Sequence, residues 1–380
     1  MREGWIETTL GDLADWSSGK NISKNSRVSD GQYSIIGANG EIGRTDQFLY
    51  DQPLVVVGRV GSCGETYLIH GKVWISDNAL IALPNANIEI NYLYYLLKTF
   101  DYNKIISGTT QPLITQGKLK TQSVFLPPLH EQKRIVDLIS SVDSYIEALQ
   151  QQLESAKRSR NAVLNKLLTA GGDEWIETTL GEVADVIDPH PSHRAPAVDD
   201  NGIPFIGIGD LRKTGDIDFA KARRVSKDIL EEHKARYNRS DFLIGLGRVA
   251  SIGMVVRLPD ESTEYVVSPT LAVIKAKGVM DQFLFYLLEG PNCQEQFQRF
   301  KKGSTRESVG MQILRKIKVG VPPLSEQQSI VEIIKSIDEL LSTTNRTLSD
   351  SKKLRSGLLS DLLSGEHEIP ASYDKVFGAA

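Results

Sequence analysis

The chain has 380 residues, of which 40% are hydrophobic and 24% are charged, which excludes a fibrous, disordered or membrane protein and indicates two or three globular domains. The net charge of −4 argues against a uniformly basic protein, but basic residues gather in 98–120, 212–239 and 295–318, and a local patch decides polyanion binding. Cys63 and Cys293 lack the spacing of a disulfide framework or zinc site, and neither a signal sequence nor a membrane-length apolar run occurs, so we expect a cytoplasmic protein.

The chain opens on a motif that occurs twice. Residues 5–11, WIETTLG, recur at 175–181, which divides the chain into two halves, 1–170 and 171–380. Each half consists of the opening motif, a globular region and a long helix. The duplication predicts that the end of the second helix lies near the opening motif of the first half, so that the chain ends meet in a pseudo-twofold ring.

The globular regions, about 17–125 and 187–320, have diverged more than the rest. Apolar runs bounded by glycines predict strands at 33–36, 54–60, 73–81, 205–208, 242–249 and 265–274. Three landmarks are shared: VGRVGS (57–62) with LGRVAS (246–251), LYYLL (93–97) with LFYLL (284–288), and GTTQ (108–111) with GSTR (303–306). The second landmark predicts a short buried helix. The halves are therefore expected to share a frame and to differ in their loops.

The stretch 126–170 begins with two prolines and then predicts a helix from near Glu131. Its apolar residues alternate in steps of four and three, which is typical of a helix that buries a narrow seam against another helix. Arg160 occupies the one slot that would otherwise be apolar. The seam consists of Ile135, Ile139, Val142, Ile146, Leu149, Leu153, Ala156, Val163 and Leu167.

The partner helix is predicted in the same chain, because 321–366 copies 126–170 at an offset of 195. Arg355 repeats the off-pattern Arg160, which identifies a duplication, and Gly365 is a plausible stop. The copied seam consists of Ile330, Ile334, Ile337, Leu341, Thr344, Leu348, Ser351, Leu358 and Leu362.

Motifs of catalysis are not found. The sequence has no phosphate-binding loop, no GxSxG elbow and no HExxH, and the glycines at 58–64 predict a tight turn between strands. The Pro-Pro pairs lack the Asn or Asp and the aromatic residue of an amino-methyltransferase site, and Asp260-Glu261 without a following lysine is a poor nuclease site. His190 and His193 flank Pro191 in a polar loop, where a structural role is favoured over metal binding. We expect no catalysis in this chain.

DNA contact is better supported. Arginine binds guanine edges in a bidentate manner, while hydroxyl, amide and lysine side chains hold phosphates or adenine. Arg59 and Arg248 lie at matching strand ends, although a buried arginine that ties a turn together is an equally good interpretation. The candidate DNA-binding residues are Arg59, Thr109, Thr110, Gln111, Lys118, Arg248, Lys301, Lys302, Ser304, Thr305 and Arg306.

Together these segments resemble the specificity subunit of type I restriction-modification systems. In the first half the resemblance lies in WIETTLGDLAD (5–15), YSIIGANGEIG (33–43), VVGRVGSCGE (56–65), WISDNAL (74–80), SGTTQPLI (107–114) and LPPLHEQKRIVDLI (126–139). In the second half it lies in WIETTLGEVAD (175–185), GRVASIG (247–253), KGSTRESV (302–309) and VPPLSEQQSIVEII (321–334). A counterpart of GANGEIG is hard to find there, so the second target is expected to differ.

The resemblance implies an α+β fold with two globular α/β target-recognition domains separated by a long antiparallel two-helix coiled coil, with an internal pseudo-twofold duplication. The implied segments are the first recognition domain (1–125), the first spacer helix (126–170), the second recognition domain (171–320), the second spacer helix (321–366) and a tail (367–380). Residues 366–380 have no counterpart in the first half, and we expect this tail to be loosely held. The off-pattern Arg160, Arg355, Thr344 and Ser351 are then expected either to fix the register of the helices or to mark where partner subunits pack.

The resemblance also implies that each domain reads one half of a bipartite double-stranded DNA target. The helices would set the gap and dock two modification (methyltransferase) subunits, with restriction subunits as further partners and no membrane involved. The chain itself would hold no cofactor or metal, because S-adenosylmethionine and ATP are used by the partners. Two alternatives remain open at this point: a methyltransferase chain with its own active site, and a coiled-coil adaptor with two ligand-binding lobes.

Overall fold

The computed structural model describes residues 4–108, 111–190, 196–211, 217–238, 242–259, 262–301, 308–370 and 372–373. The chain forms two compact units, one of Met1–Gln151 with Arg346–Ala380 and the other of Gln152–Asn345. Each unit therefore combines one globular region with part of each long helix. The five segments implied by the family resemblance divide the chain differently and stay a prediction.

The first unit is built on two four-stranded sheets, in the orders β2-β9-β6-β7 and β4-β3-β8-β5, and on the pair β1-β10. The strands are β1 (Ile6–Thr9), β2 (Ala14–Ser18), β3 (Tyr33–Gly37), β4 (Gly40–Thr45), β5 (Tyr50–Asp51), β6 (Leu54–Gly58), β7 (Thr66–Ile69), β8 (Lys72–Ile75), β9 (Ala79–Pro84) and β10 (Ser123–Leu126). The helices are α1 (Leu10–Leu13), α2 (Ile90–Thr99), α3 (Gln116–Lys120) and α4 (Leu129–Thr169), with short 3-10 helices at Lys24–Ser26 and Tyr102–Lys104.

Strand β6 shows why a continuous apolar run forms a strand here. Side chains alternate between the two faces of a sheet, and both faces of β6 are covered. Val55 and Val57 pack in the cluster that contains α2, whereas Leu54 and Val56 pack in the cluster between the two sheets. Every residue of the run is consequently buried.

The second unit repeats the first sheet and changes the second. The order β12-β18-β15-β16 is that of the first sheet of the first unit, while β14-β13-β17 has three strands. The strands are β11 (Ile176–Thr179), β12 (Ala184–Ile187), β13 (Ile203–Ile206), β14 (Arg223–Val225), β15 (Ile244–Gly247), β16 (Val255–Arg257), β17 (Val266–Val267), β18 (Leu271–Ala276) and β19 (Lys318–Val321). The helices are α5 (Leu180–Val183), α6 (Asp228–Lys234), α7 (Asp281–Glu289), α8 (Pro291–Lys301), α9 (Met311–Arg315) and α10 (Leu324–Ser364), with a 3-10 helix at Ile208–Asp210.

The difference between the second sheets explains the missing GANGEIG counterpart. In the first unit β3 and β4 form a hairpin around that segment, whereas β13 pairs instead with the distant β14. The parallel pairing of β3 with β8 nevertheless returns as β13 with β17. The two units therefore share the parallel strand pairing and differ in the strand that pairs along the other side of β3 and β13.

Most predicted strands are confirmed, but two of them are wrong because each contains two separate strands. The predicted strand 73–81 is β8 and β9, which belong to different sheets, and 265–274 is likewise β17 and β18. A turn interrupts both runs, closed by Ala79 N donating to the Ser76 carbonyl and by Leu271 N donating to the Ser268 carbonyl, each at 3.1 Å. The predicted short buried helix is confirmed as α2 and α7.

Helices α4 and α10 are each 41 residues long, or about 60 Å at 1.5 Å per residue, and confirm the predicted pair of long helices. Both begin directly after a Pro-Pro pair, and α10 ends before Gly365, whose φ is +76°. No helix in the described ranges is both long enough and apolar enough to cross a membrane; α4 and α10 have the length but are too polar.

The helical segments run antiparallel within each unit. In the first, Asp143 of α4 pairs with Arg355 of α10, while Ile139, earlier in α4, shares a cluster with Leu362, later in α10. In the second, Arg160 of α4 pairs with Asp338 of α10. Leu164 and Leu168, later in α4, share a cluster with Ile330 and Ile334, earlier in α10.

The predicted seam is confirmed for its first residues and drifts near the helix ends. Leu164 and Leu168 are buried in place of the predicted Val163 and Leu167, and Leu359 in place of Leu358. An α-helix has 3.6 residues per turn, so a seam drawn at 3.5 rotates away from its face over several turns. These late residues pack in the same clusters as the globular cores.

The starts of the long helices are attached to the opening motifs by identical side chains. Glu131 accepts a hydrogen bond from the indole of Trp5 at 3.1 Å, and Glu326 accepts one from Trp175 at 3.1 Å. A β-carbon at Gly365 would lie 3.6 Å from the Trp5 ring, which confirms that α10 ends beside the opening motif of the first half.

The residues after α10 belong to the first unit, as does the last part of α10 itself. Ile369 is buried in its core, and Tyr373 packs against the same cluster. The prediction of a loosely held tail is therefore wrong for these residues, because burial of an apolar side chain stabilises the contact. Residues 371 and 374–380 lie outside the described ranges.

Candidate nucleic-acid interface

The arginine turn of the first unit, residues 59–64, joins β6 to β7. It is closed by a hydrogen bond of 2.9 Å from Gly64 N to the carbonyl of Gly58. Gly64 has a φ of +89°, and a β-carbon there would clash with the ring of Tyr102, so the position requires glycine. The prediction of a tight turn at 58–64 is confirmed.

Arg59 is half-buried, and its Nη1 donates to the hydroxyl of Ser18 at 3.0 Å. The Gly-Thr loop that carries Gln111 lies beside it, because Val60 pairs with Leu113 and Ile114 N donates to the Arg59 carbonyl at 2.9 Å. The structure thus brings the arginine turn and the loop together, with the side chain of Gln111 exposed.

In the second unit the described residues after position 307 make the same contacts with the turn. Val249 pairs with Ser308, and Val309 N donates to the Arg248 carbonyl at 2.8 Å. Arg248 itself is only 9% exposed. Its Nε donates to the Pro269 carbonyl at 2.6 Å, and its Nη2 lies 3.4 Å from Asp188. The interpretation of an arginine that ties the turn together accounts for these contacts, and DNA contact by Arg248 stays a prediction.

The structure describes only some of the other residues predicted to contact DNA. Lys118 is exposed in α3. Lys301 is the last residue of α8, and its side chain lies outside the description. Thr109, Thr110, Lys302, Ser304, Thr305 and Arg306 lie outside the described residues.

The arginine turn of the second unit is 248–253, which Gly253 N closes by donating to the Gly247 carbonyl at 2.9 Å. Each arginine turn is attached through one carbonyl to the short helix that packs beside it. In the first unit the hydroxyl of Tyr102 donates to the carbonyl of Leu97, at the end of α2, at 2.9 Å, and the same ring packs on Gly64. In the second unit Gln294 donates to the carbonyls of Leu288, in α7, and Gly253, both at 2.8 Å. Different side chains therefore make equivalent attachments.

A Tyr–Asp–Arg cluster then attaches α2 to the long helices. Arg355 of α10 binds both carboxylate oxygens of Asp143 of α4, at 2.7 and 2.9 Å. The hydroxyl of Tyr95, in α2, donates to the same carboxylate at 3.4 Å, and the guanidinium lies 5.6 Å from the centre of the Tyr95 ring. Three segments of the first unit meet at this point.

The second unit builds the same cluster from Tyr286 of α7, Asp338 of α10 and Arg160 of α4. The Tyr286 hydroxyl donates to Asp338 at 3.0 Å, Arg160 binds both oxygens of that carboxylate, and its guanidinium lies 5.7 Å from the ring centre. Glu289 adds a second carboxylate 2.8 Å from Arg160. The equivalent position in the first unit is Lys98, which pairs with Glu65 instead.

Burial and charge oppose each other in the second cluster. Burial by itself would lower the pKa of Arg160, but Asp338 and Glu289 outweigh it and raise that pKa. Burial raises the pKa of Glu289 above its ordinary value, and Arg160 only partly offsets this effect. The pKa of Glu289 implies that the folded protein favours its neutral form more than the unfolded chain does.

We expect Glu289→Gln to make stability less dependent on pH. Because the folded pKa of Glu289 is raised, its contribution is fully present below the unfolded pKa and is lost as the pH rises through the folded pKa. The melting temperature of the variant minus that of the wild type should therefore increase between about pH 4 and pH 7. Glu295→Gln, at an exposed position of α8, is the control, and a flat difference for Glu289→Gln would contradict the expectation.

Sequence reasoning missed the tyrosine and aspartate of both clusters. It noticed Arg160 and Arg355 because both interrupt an apolar seam. A polar residue repeated in a seam requires a partner, and Asp143 and Asp338 are repeated at the same offset of 195. A search of the seam for duplicated acids would have found them.

The histidine considered for metal binding lies among buried side chains, and its structural role stays a prediction. His190 is buried, and its Nδ1 lies 3.3 Å from Nε2 of the buried His233, whose Nδ1 is 3.2 Å from the hydroxyl of Tyr237. His193 lies outside the described residues. Among the residues that the structure describes, no group of three or more His, Cys, Asp or Glu side chains could hold a metal ion.

Comparison with known proteins agrees with this duplicated architecture. A family model described as the type I restriction modification DNA specificity domain matches residues 2–158 and 172–351, which span both copies of the repeat. The chain is similar to the type I restriction enzyme MjaVIII specificity subunit of Methanocaldococcus jannaschii, with 24% identity over 332 residues that cover 81% of this chain and 77% of the relative.

Two further similarities extend over almost the whole chain. The EcoBI specificity subunit of Escherichia coli is 24% identical over an alignment of 390 residues, which covers 87% of this chain and 80% of the relative. The crystal structure of the S subunit from M. genitalium has a TM-score of 0.60 at 18% identity and covers 96% of this chain and 97% of that chain. At this identity the structural likeness shows the fold.

Proposed function

The chain belongs to the family of type I restriction modification DNA specificity domains, and on that premise we propose that it is the DNA-recognition subunit of a type I restriction-modification complex. Each globular region reads one half of a bipartite double-stranded target. The observation that carries this proposal is that one arrangement is built twice on the same frame: an arginine turn pairs with the short segment of Leu113 and Ile114 in the first unit and of Ser308 and Val309 in the second. Two readers in one chain suit a target of two parts.

The differences between the units support two unlike half-sites. Arg59 is half-buried and bonded to Ser18, whereas Arg248 is buried against Pro269 and Asp188. The second sheets also differ in strand order. Because bases are read by side chains on such edges and loops, the two units are expected to read different sequences.

The proposed partners are two copies of a modification (methyltransferase) subunit, with restriction subunits as further members of the complex. Exposed apolar side chains occur at equivalent places of the two halves, which suits two copies of one partner: Ile6 and Ile176, Leu129 and Leu324, and Tyr145 and Leu340. We assign S-adenosylmethionine and ATP to the partners, catalysis to them as well, and the complex to the cytoplasm, where its DNA is.

The experiment that tests this function is to co-express the chain with a modification subunit and map the methylated adenines in the DNA of the host. The expected motif has two unlike parts separated by a fixed number of unspecified bases. A one-part motif would contradict the proposal. S-adenosylmethionine bound to the chain alone would favour an enzyme, and lack of salt-dependent DNA binding in the complex would favour an adaptor.

Arg59→Ala should weaken recognition of one half-site. The side chain is a half-buried cation at the strand end beside Gln111. A bidentate contact with a base is worth enough for its loss to lower the methylation rate by about tenfold or more. The measurement is methylation of a synthetic duplex by the assembled complex. Lys157→Ala, on the exposed side of α4, is the control and should leave the rate unchanged; equal rates for both variants would remove Arg59 from the interface.

A further inference from the structure

We propose that the two Tyr–Asp–Arg clusters hold each arginine turn at a fixed place on the long helices. They thereby determine how strictly the complex requires one number of base pairs between the half-sites. The inference rests on the proposed function and deepens it. The residues concerned are Tyr95, Asp143 and Arg355 in the first unit and Tyr286, Asp338 and Arg160 in the second.

The first step is the geometry of the cluster. A guanidinium that binds both oxygens of one carboxylate has a defined plane and direction, as Arg355 does on Asp143 at 2.7 and 2.9 Å. The ring of Tyr95 lies against that guanidinium, which adds a cation–π contact. Leucine at position 355 would fill the seam, but it would allow α2 to slide along the helices.

The second step leads from the cluster to the turn. Tyr95 lies in α2. Two residues later, the carbonyl of Leu97 accepts a hydrogen bond from the hydroxyl of Tyr102. The Tyr102 ring in turn packs on Gly64 of the arginine turn. The path from Asp143 to the turn therefore runs through one short helix and one side chain.

The second unit makes the same path with other residues. Tyr286 lies in α7, and the carbonyl of Leu288, again two residues later, is joined by Gln294 to Gly253 of the second turn. Phe297 packs on the same glycine. The attachment is made by different side chains in the two units, whereas the same Tyr, Asp and Arg side chains form both clusters. This difference indicates that the cluster serves a purpose common to both units.

The third step concerns energy. The Asp143 carboxylate is 40% exposed and the Arg355 side chain 25% exposed. An ion pair this accessible contributes little stability compared with an apolar contact at the same place. The ion pair fixes the orientation of the side chains that meet at the cluster, which a leucine would not do. A role in positioning therefore explains the duplicated arginine better than a role in stability alone.

The test uses Arg355→Lys in the complex with the modification subunit. Lysine keeps the charge and loses the planar fork. Methylation is measured on duplexes with the native gap and with one base pair more or fewer. We expect the rate on the altered gaps relative to the native gap to rise by about fivefold or more, with the bases read in both half-sites unchanged. Arg346→Lys, the same substitution at an exposed position of α10, is the matched control.

A purely structural role would lower all rates together and leave their ratio unchanged, and that outcome overturns the proposal. If Arg355→Lys does not fold, Tyr95→Phe takes its place, since it keeps the ring and the ion pair and removes only the hydroxyl; an unchanged ratio for that variant overturns the proposal as well. Failure of the proposed function is distinguishable, because the wild-type complex would then show no two-part motif.

Discussion

Replacing Arg160 by alanine should lower the melting temperature of the second unit by about 5–15 °C. The guanidinium is 15% exposed and lies between two carboxylates, Asp338 and Glu289. Without it, two half-buried negative charges face each other with no cation between them. Removal of one partner from such a group costs about 2–4 kcal/mol, and 1 kcal/mol corresponds to about 2–4 °C for a unit of this size.

The matched variants make this expectation specific. Arg355→Ala should cost much less, about 1 kcal/mol or below, because Arg355 faces only Asp143 and both side chains are more exposed. Arg158→Ala, at an exposed position two residues before Arg160, should change stability by less than about 0.5 kcal/mol. Calorimetry is the appropriate measurement, since two compact units can melt in separate transitions. If Arg160→Ala melted like Arg158→Ala, the ion pairs of the second cluster would not hold the unit together.

Lengthening both long helices should change the gap in the target and leave both half-sites as they are. We consider seven residues inserted after Gln151 in α4 and seven after Asn345 in α10, where the boundary between the two units falls. Seven residues are two turns, so the apolar seam keeps its face, and both Tyr–Asp–Arg clusters stay intact. The helices grow by about 10 Å, which corresponds to about three base pairs at 3.4 Å each.

The measurement for the lengthened chain is the motif methylated by the complex in the host. The expected motif contains the same bases in both halves and a longer gap. An insertion in α4 alone is the control, because it shifts Arg160 away from Asp338 and should abolish activity. If the bases of a half-site changed while the gap stayed the same, the division of work between the globular regions and the helices would be wrong.

The sequence of this protein by itself determined its repeat, its two long helices and the frame common to both halves. These features follow from local patterns: apolar residues at heptad spacing, glycines at turns, and motifs such as WIETTLG that recur in order. A helix of 41 residues has so many periodic residues that tertiary contacts cannot override the pattern. Even the off-pattern arginines were visible, because they occur twice.

Only the tertiary structure decided what those arginines do. Asp338 lies 178 residues from Arg160, and such a pair is set by the antiparallel register of two helices, which no local pattern records. The same reason applies to Arg248, whose burial depends on Pro269 and Asp188, and to the two overlong strands, whose turns are hidden in continuous apolar runs. Periodicity specifies which face of an element is buried, whereas the contacts on that face depend on elements distant in the chain.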